Sequence, residues 1–191
     1  MHCALCKTKL CDKEGKNCYG ENNLKNTIEN NDNIKVSSDM ETLYSMQLTR
    51  VEELIMYCNR RGYKKIGIAF CVGLSNEVLV LTKILRSKGF KTFSACCKIG
   101  GISKQEIGIK HADIKHDAIC NPHLQAQTLN ESNTDFNIIV GLCIGHDAEF
   151  TQSSKAPVST LIVKDRVLAH NPIGALYSNY YLEKIYKTDY L

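Results

Sequence analysis

The 191-residue chain has no long apolar run: nothing in it approaches the ~18 consecutive apolar residues of a membrane span. It has no stripe of lysine and arginine either. Its net charge is only +4, which leaves a nucleic-acid-binding role without support. Met1-His2-Cys3-Ala4-Leu5-Cys6 lacks the charged and apolar regions of a signal peptide, so a cytoplasmic protein is expected. There is no Gly-x-Gly-x-x-Gly, no Walker pattern and no serine elbow. Phe70-Cys71-Val72-Gly73-Leu74 reads as strand, turn and helix, but with too few glycines for a dinucleotide site. With 43% apolar and 23% charged residues, the chain has the composition of one globular core with a small appendage.

What it has in excess is cysteine: ten residues. Without an export signal, disulfides are not expected in a reducing cytosol, and many thiols there point to metal or redox chemistry. Four of them, Cys3, Cys6, Cys11 and Cys18, fall in MHCALCKTKLCDKEGKNCYG, residues 1–20, which hold almost no apolar side chains. Burial cannot fold such a segment. Four thiolates on one zinc ion, or on an iron–sulfur cluster, can supply the missing stabilisation as a metal knuckle. The alternative is a redox pair at Cys3 and Cys6, although no strand precedes it. Residues 21–38 are polar and asparagine-rich and read as a linker.

From residue 39 to 191 the pattern is α/β. Ser38 or Asp39 is placed to cap a long helix over Met40–Arg61, whose apolar face includes Cys58 as a core residue. Buried strands are read at Lys65–Cys71, Phe90–Cys97, Phe136–Leu142 and Val158–Val163. Helices are read from Ser75 to about Lys88, from Pro122 (capped by Asn121) to about Glu131, from His146 onward, and over Ile173–Lys187. The tyrosines of the last helix are expected to pack against the sheet. Residues 102–119, with His111 and His116, are less regular. Strand, helix and strand of these lengths form βαβ units. The expected fold is therefore a three-layer, mostly parallel, Rossmann-like α/β domain behind an N-terminal cysteine knuckle.

Three of the predicted strands end in thiols: Cys71, the pair Cys96-Cys97, and Cys143. Parallel strands share one C-terminal edge, where ligands bind in open α/β sheets. Cys120, just before a helix start, can reach the same edge. These five cysteines are candidates to hold an iron–sulfur cluster or soft metal. The second reading is a redox-thiol site with Cys120 or Cys143 as nucleophile. His146, three residues after Cys143, is a candidate ligand or acid/base, and His123 bears the same relation to Cys120; the plainer role for each is a solvated or capping residue. Lys155 is a candidate positive charge near the edge, or a surface lysine. His2 and His170 carry no assigned role. An enzyme using that cluster, a reductase or a sulfur-handling activity with a small-molecule substrate or an electron-transfer partner, fits such a site; the competing class is a non-enzymatic zinc-binding carrier, sensor or interaction module.

CALCKTKLC, GIAFCVGLSNE, ACCKIGG, CNPHLQAQTLN, TDFNIIVGLCIGHD and SSKAPVSTLIVKDRVLAHNPIGALY together resemble an uncharacterised prokaryotic family, a domain of unknown function. Its members are described as cysteine-rich and metal-binding. The resemblance covers nearly the whole chain. It implies metal binding through Cys3, Cys6, Cys11 and Cys18, and then Cys71, Cys96, Cys97, Cys120 and Cys143. It names no reaction.

Overall fold

The computed structural model describes residues 2–20, 25–109 and 117–188. His111, His116 and residues 21–24 of the expected linker lie outside them. The chain divides into two compact units, Met1–Ser45 and Met46–Leu191.

In the first unit a single 3₁₀ turn, Cys3–Leu5, precedes the short helices α1 (Leu10–Lys13) and α2 (Asn26–Glu29) and the longer α3 (Asp32–Tyr44). None of residues 2–20 is buried. Asn31 starts α3: its side-chain oxygen accepts the backbone N–H groups of Asn33 and Ile34 at 3.1 and 3.2 Å, covering donors that a helix start leaves open.

The second unit opens with α4 (Arg50–Arg60). The helix expected over Met40–Arg61 is thus two helices, because a capping box restarts it. Thr49 Oγ1 accepts the Glu52 N–H at 3.4 Å and the Glu52 carboxylate accepts the Thr49 N–H at 2.8 Å, a motif that stabilises a new helix start. Met46, at φ 60, has already left the helical path.

Among the described residues the sheet has four strands, β1 (Lys65–Phe70), β2 (Lys91–Cys96), β3 (Phe136–Val140) and β4 (Val158–Ile162), all parallel in the order β2-β1-β3-β4. The central strands are continuously buried, as their unbroken apolar runs require. Side chains alternate between two cores. Ile66 and Ile68, with Phe136, Ile138 and Val140, meet α4 and α5 (Ser75–Ser87) on one face. Ala69, Ala95 and Ile139 meet α6 (Pro122–Glu131) and the Phe150 side chain of α7 (His146–Ser153) on the other. Cys58 lies in the first core at 1% exposure. This is the three-layer α/β arrangement read from the sequence.

After β4 the chain turns over Arg166–His170, with Ala169 and His170 at positive φ. One local difference stands out. The C-terminal segment is not one helix: it breaks into α8 (Gly174–Tyr177) and a π-helical stretch, Tyr180–Tyr186. There Tyr181 packs on Tyr180 and Tyr186, so these rings contact one another where packing on the sheet was expected. No described helix is long and apolar enough to cross a membrane.

Candidate functional site

In the order β2-β1-β3-β4 the chain leaves β1 in one direction to form β2 and then crosses back to form β3. The crevice of such a sheet lies beyond the C-terminal ends of β1 and β3. Cys71 directly follows β1, and Cys97 directly follows β2. The two chains are still laddered there: the Cys97 N–H donates to Phe70 O at 2.8 Å and the Cys71 N–H to Val140 O at 3.1 Å. The Asn121 N–H donates to Cys97 O at 2.8 Å, which brings Cys120 to the end of β2. Asn121 also caps α6 as expected, accepting the Leu124 N–H at 2.9 Å.

The sulfurs follow. The buried Cys97 thiol accepts the Val72 N–H at 3.4 Å, and the Cys71 and Cys120 thiols stand near enough to shift its protonation. Between the adjacent Cys96 and Cys97, it is Cys97 whose sulfur joins this group. Two cations missed by the sequence reading complete the edge. Lys164 Nζ donates to Cys71 Sγ at 3.1 Å, and the Arg166 guanidinium donates to Cys143 Sγ at 3.1 Å. Both come from the loop after β4, where Asp165 Oδ1 accepts the N–H groups of Val167 and Leu168 at 2.9 and 2.8 Å and bends the chain over the sheet edge. The available signal was Lys164-Asp165-Arg166 directly after a predicted strand of the same parallel sheet. Lys155, the cation named instead, lines a shallow cavity of about 300 Å³ with His123, Gln127, Asn130, Glu131 and Ser153.

The electrostatics divide these thiols by role. Burial pushes Cys71 up, but the Gly73 backbone N–H, the Lys164 ammonium and the Cys97 thiol outweigh it, so its pKa is lowered. Burial pushes Cys97 up to about 12; the Val72 N–H opposes the rise, while negative charge on Cys120 and Cys71 adds to it. Cys71 is therefore the favoured thiolate, and Cys97 a neutral thiol beside it. The sulfur of Cys143, as acceptor, raises the pKa of Arg166 further.

Below the edge, the buried Gln125 side chain of α6 donates from Nε2 to Phe70 O at 3.2 Å and to Ala95 O at 2.7 Å. These carbonyls immediately precede Cys71 and Cys96. Its Oε1 is buried with no hydrogen-bond partner among the described residues, an open acceptor beneath the thiols. Neither candidate histidine bonds to a cysteine side chain. His123 Nδ1 lies 3.2 Å from Glu149 Oε1 and 3.1 Å from Ser153 Oγ, tying α6 to α7. His146 follows Cys143 through a backbone bond, its N–H donating to Cys143 O at 2.9 Å. Among the described residues, no group of three or more His, Cys, Asp or Glu side chains is arranged to hold a metal ion. Cys143 Sγ lies 3.1 Å from the Arg166 guanidinium.

In the first unit Cys3, Cys6, Cys11 and Cys18 are all exposed. The Cys6 pKa is lowered, first by the Lys9 backbone N–H and then by the Thr8 hydroxyl and N–H. The Thr8 Oγ1 lies 3.6 Å from the sulfur.

The role of Lys164 is directly measurable. In metal-free protein, Lys164→Gln removes a cation that favours the Cys71 thiolate. The pH curve for Cys71 alkylation by iodoacetamide, followed by peptide mass analysis, then moves to higher pH. The neutral-pH rate falls on the order of tenfold, the scale of one charge-assisted contact. Lys164→Arg retains most of the rate. Superimposable curves for the unaltered protein and the Lys164→Gln variant refute the assignment.

The molecule is thus a parallel α/β protein whose sheet edge is lined with cysteines and closed by two cations. A family model described as "Protein of unknown function (DUF1847)" matches residues 6–161, and the chain belongs to that family. It is similar to the "Uncharacterized protein MJ0455" of Methanocaldococcus jannaschii, 50% identical over 191 residues that cover 97% of this chain and 98% of the relative. The motif resemblance is borne out as far as a family of unknown function.

Proposed function

We propose that the cysteine edge binds a thiophilic metal ion or an iron–sulfur cluster, with Cys71, Cys97, Cys120 and Cys143 as ligands and Cys96 outside the set. The observation that carries this reading is that backbone hydrogen bonds bring Cys71, Cys97 and Cys120, from three separate segments, to one sheet edge, with Cys71 and Cys143 each bonded by a cation of the loop after β4. An all-sulfur donor set suits soft metals and clusters. Lys164 and Arg166 offset the charge that several thiolates accumulate. N–H donors on sulfur, such as Val72 on Cys97, are the kind of contact that tunes a bound cluster. Loading requires rearrangement of the thiols, since Cys143 now faces Arg166. A bound cluster supplies electron transfer or a Lewis-acid centre; the chain supplies the ligands and the compensating charge.

The N-terminal cysteines are proposed as a second site, for zinc or a cluster. Two features support it: Cys6 carries N–H donors that favour its thiolate while fully exposed, and residues 2–20 have no buried side chain to hold them.

The test is anaerobic purification with iron, zinc and acid-labile sulfide analysis. Brown protein with iron and sulfide is expected. Cys71→Ser and Cys143→Ser should lose the colour, whereas Cys6→Ser should lose a separate metal equivalent. Colourless protein whose zinc content is indifferent to Cys71→Ser and Cys143→Ser overturns the edge site and leaves the zinc-carrier reading.

A further inference from the structure

We propose that Cys71 and Cys97 form a dithiol–disulfide couple that reduces the sulfur–sulfur bond of small-molecule disulfides, Cys71 attacking and Cys97 resolving. The carrying observation is their placement. Phe70 and Cys96 are register partners on adjacent parallel strands; the next residues are Cys71 and Cys97, and the ladder continues through the Cys97 N–H to Phe70 O bond. Neighbouring strands run about 4.8 Å apart, inside the roughly 4.4–6.8 Å separation that a disulfide spans between Cα atoms. That register sets the two cysteines side by side at a separation a disulfide can span.

Access and charge assign the roles. Cys71 is half-buried, so a substrate reaches it, while Cys97 is 2% exposed and can be met only from within the site. Lys164 Nζ, 3.1 Å from Cys71 Sγ, holds positive charge where the attacking anion stands.

The chemistry balances as thiol–disulfide exchange. The Cys71 thiolate attacks one sulfur of R–S–S–R. The substrate S–S bond breaks, a Cys71–S–S–R bond forms, and RS⁻ leaves to take a proton from solvent. Cys97 then gives up its proton to solvent and attacks the Cys71 sulfur. The Cys71–S–R bond breaks, the Cys71–Cys97 disulfide forms, and the second RS⁻ is protonated. The substrate gains two electrons and the cysteine pair loses two. A thiol reductant restores the pair by the reverse exchange. The couple needs no metal, and a metal on these sulfurs blocks it, so it stands apart from the proposal above.

The experiment uses reduced, metal-stripped full-length protein and oxidised glutathione under anaerobic conditions, with acid quench and peptide mass mapping. A Cys71–Cys97 disulfide and release of both glutathione halves are expected. Cys97→Ser should instead accumulate glutathione on Cys71, and Cys71→Ser should form neither product at this edge. Cys96→Ser, outside the proposed ligand set, should leave the bridge intact. Circular dichroism checks that each variant is folded. A Cys97–Cys120 bridge, or glutathione confined to Cys3, Cys6, Cys11 and Cys18, overturns the proposal whatever the metal analysis returns.

Discussion

Gly67→Ala is expected to cost about 3 to 5 kcal/mol of stability, enough to unfold much of a marginally stable domain. Gly67 on β1 is the register partner of Asn137 on β3, and the Asn137 side chain lies over it. A Cβ at Gly67 would stand 1.9 Å from Asn137 Oδ1 and 3.0 Å from Leu129 Cδ1. The asparagine cannot simply move aside. It is fully buried, with Oδ1 accepting from Thr134 Oγ1 at 2.8 Å and Nδ2 donating to Ser154 Oγ at 2.8 Å. Ser154 in turn donates to Ala156 O at 2.8 Å. Displacing Asn137 leaves buried polar atoms unpaired as well as crowding the core. Urea denaturation reads the loss. A double-mutant cycle identifies the cause, because Gly67→Ala should cost far less in an Asn137→Ala background. A penalty under about 1 kcal/mol, or additive costs, refutes this account.

The second large effect is loss of stability at alkaline pH. Burial pushes Cys58 up to about 12, with the Asp135 carboxylate adding to it, from an ordinary value of 9.0. The folded state thus prefers the neutral thiol. Below the unfolded value both states hold the proton and the contribution is fully present. As pH rises above it, the unfolded chain ionises first, and stability drains until the folded pKa is passed. Between about pH 8 and about pH 10.5 this amounts to about 2 kcal/mol for Cys58. Cys97, raised for the same leading reason, acts in the same direction. Cys71, with its pKa lowered, acts oppositely: its contribution is present above its unfolded value and is lost as pH falls through its folded one. Urea midpoints across this range should decline for the metal-free chain, and more gently for Cys58→Ala. Equal slopes for the two proteins would show that Cys58 is not a source of the decline.

Much of the fold was legible because the relevant forces are local. Short β-branched apolar runs bounded by glycine and polar residues located β1, β3 and β4, the segment between Gly89 and the Cys96-Cys97 pair located β2, and Asn121-Pro122 located the start of α6. The break before Thr49 was written in Thr49-Arg50-Val51-Glu52, but a continuous helical spacing of apolar residues masked it. The C-terminal helix failed for the opposite reason: its tyrosines follow a helical spacing, yet they pack on one another.

The candidate site divides along the same line. That Cys71, Cys97 and Cys143 follow strand ends, and that Cys120 precedes a helix, is a property of the sequence, since parallel strands deliver whatever follows them to one edge. Which sulfurs meet there was decided by the tertiary structure. One residue of register distinguishes Cys97 from Cys96. The turn at Asp165 bends Lys164 and Arg166 onto Cys71 and Cys143, more than twenty residues away in the chain at the nearest. His123 was drawn to Glu149 and Ser153 by the packing of α6 on α7. Local propensity depends on neighbours in the chain, whereas the charge beside a thiol depends on strand order and loop direction, which no short segment contains.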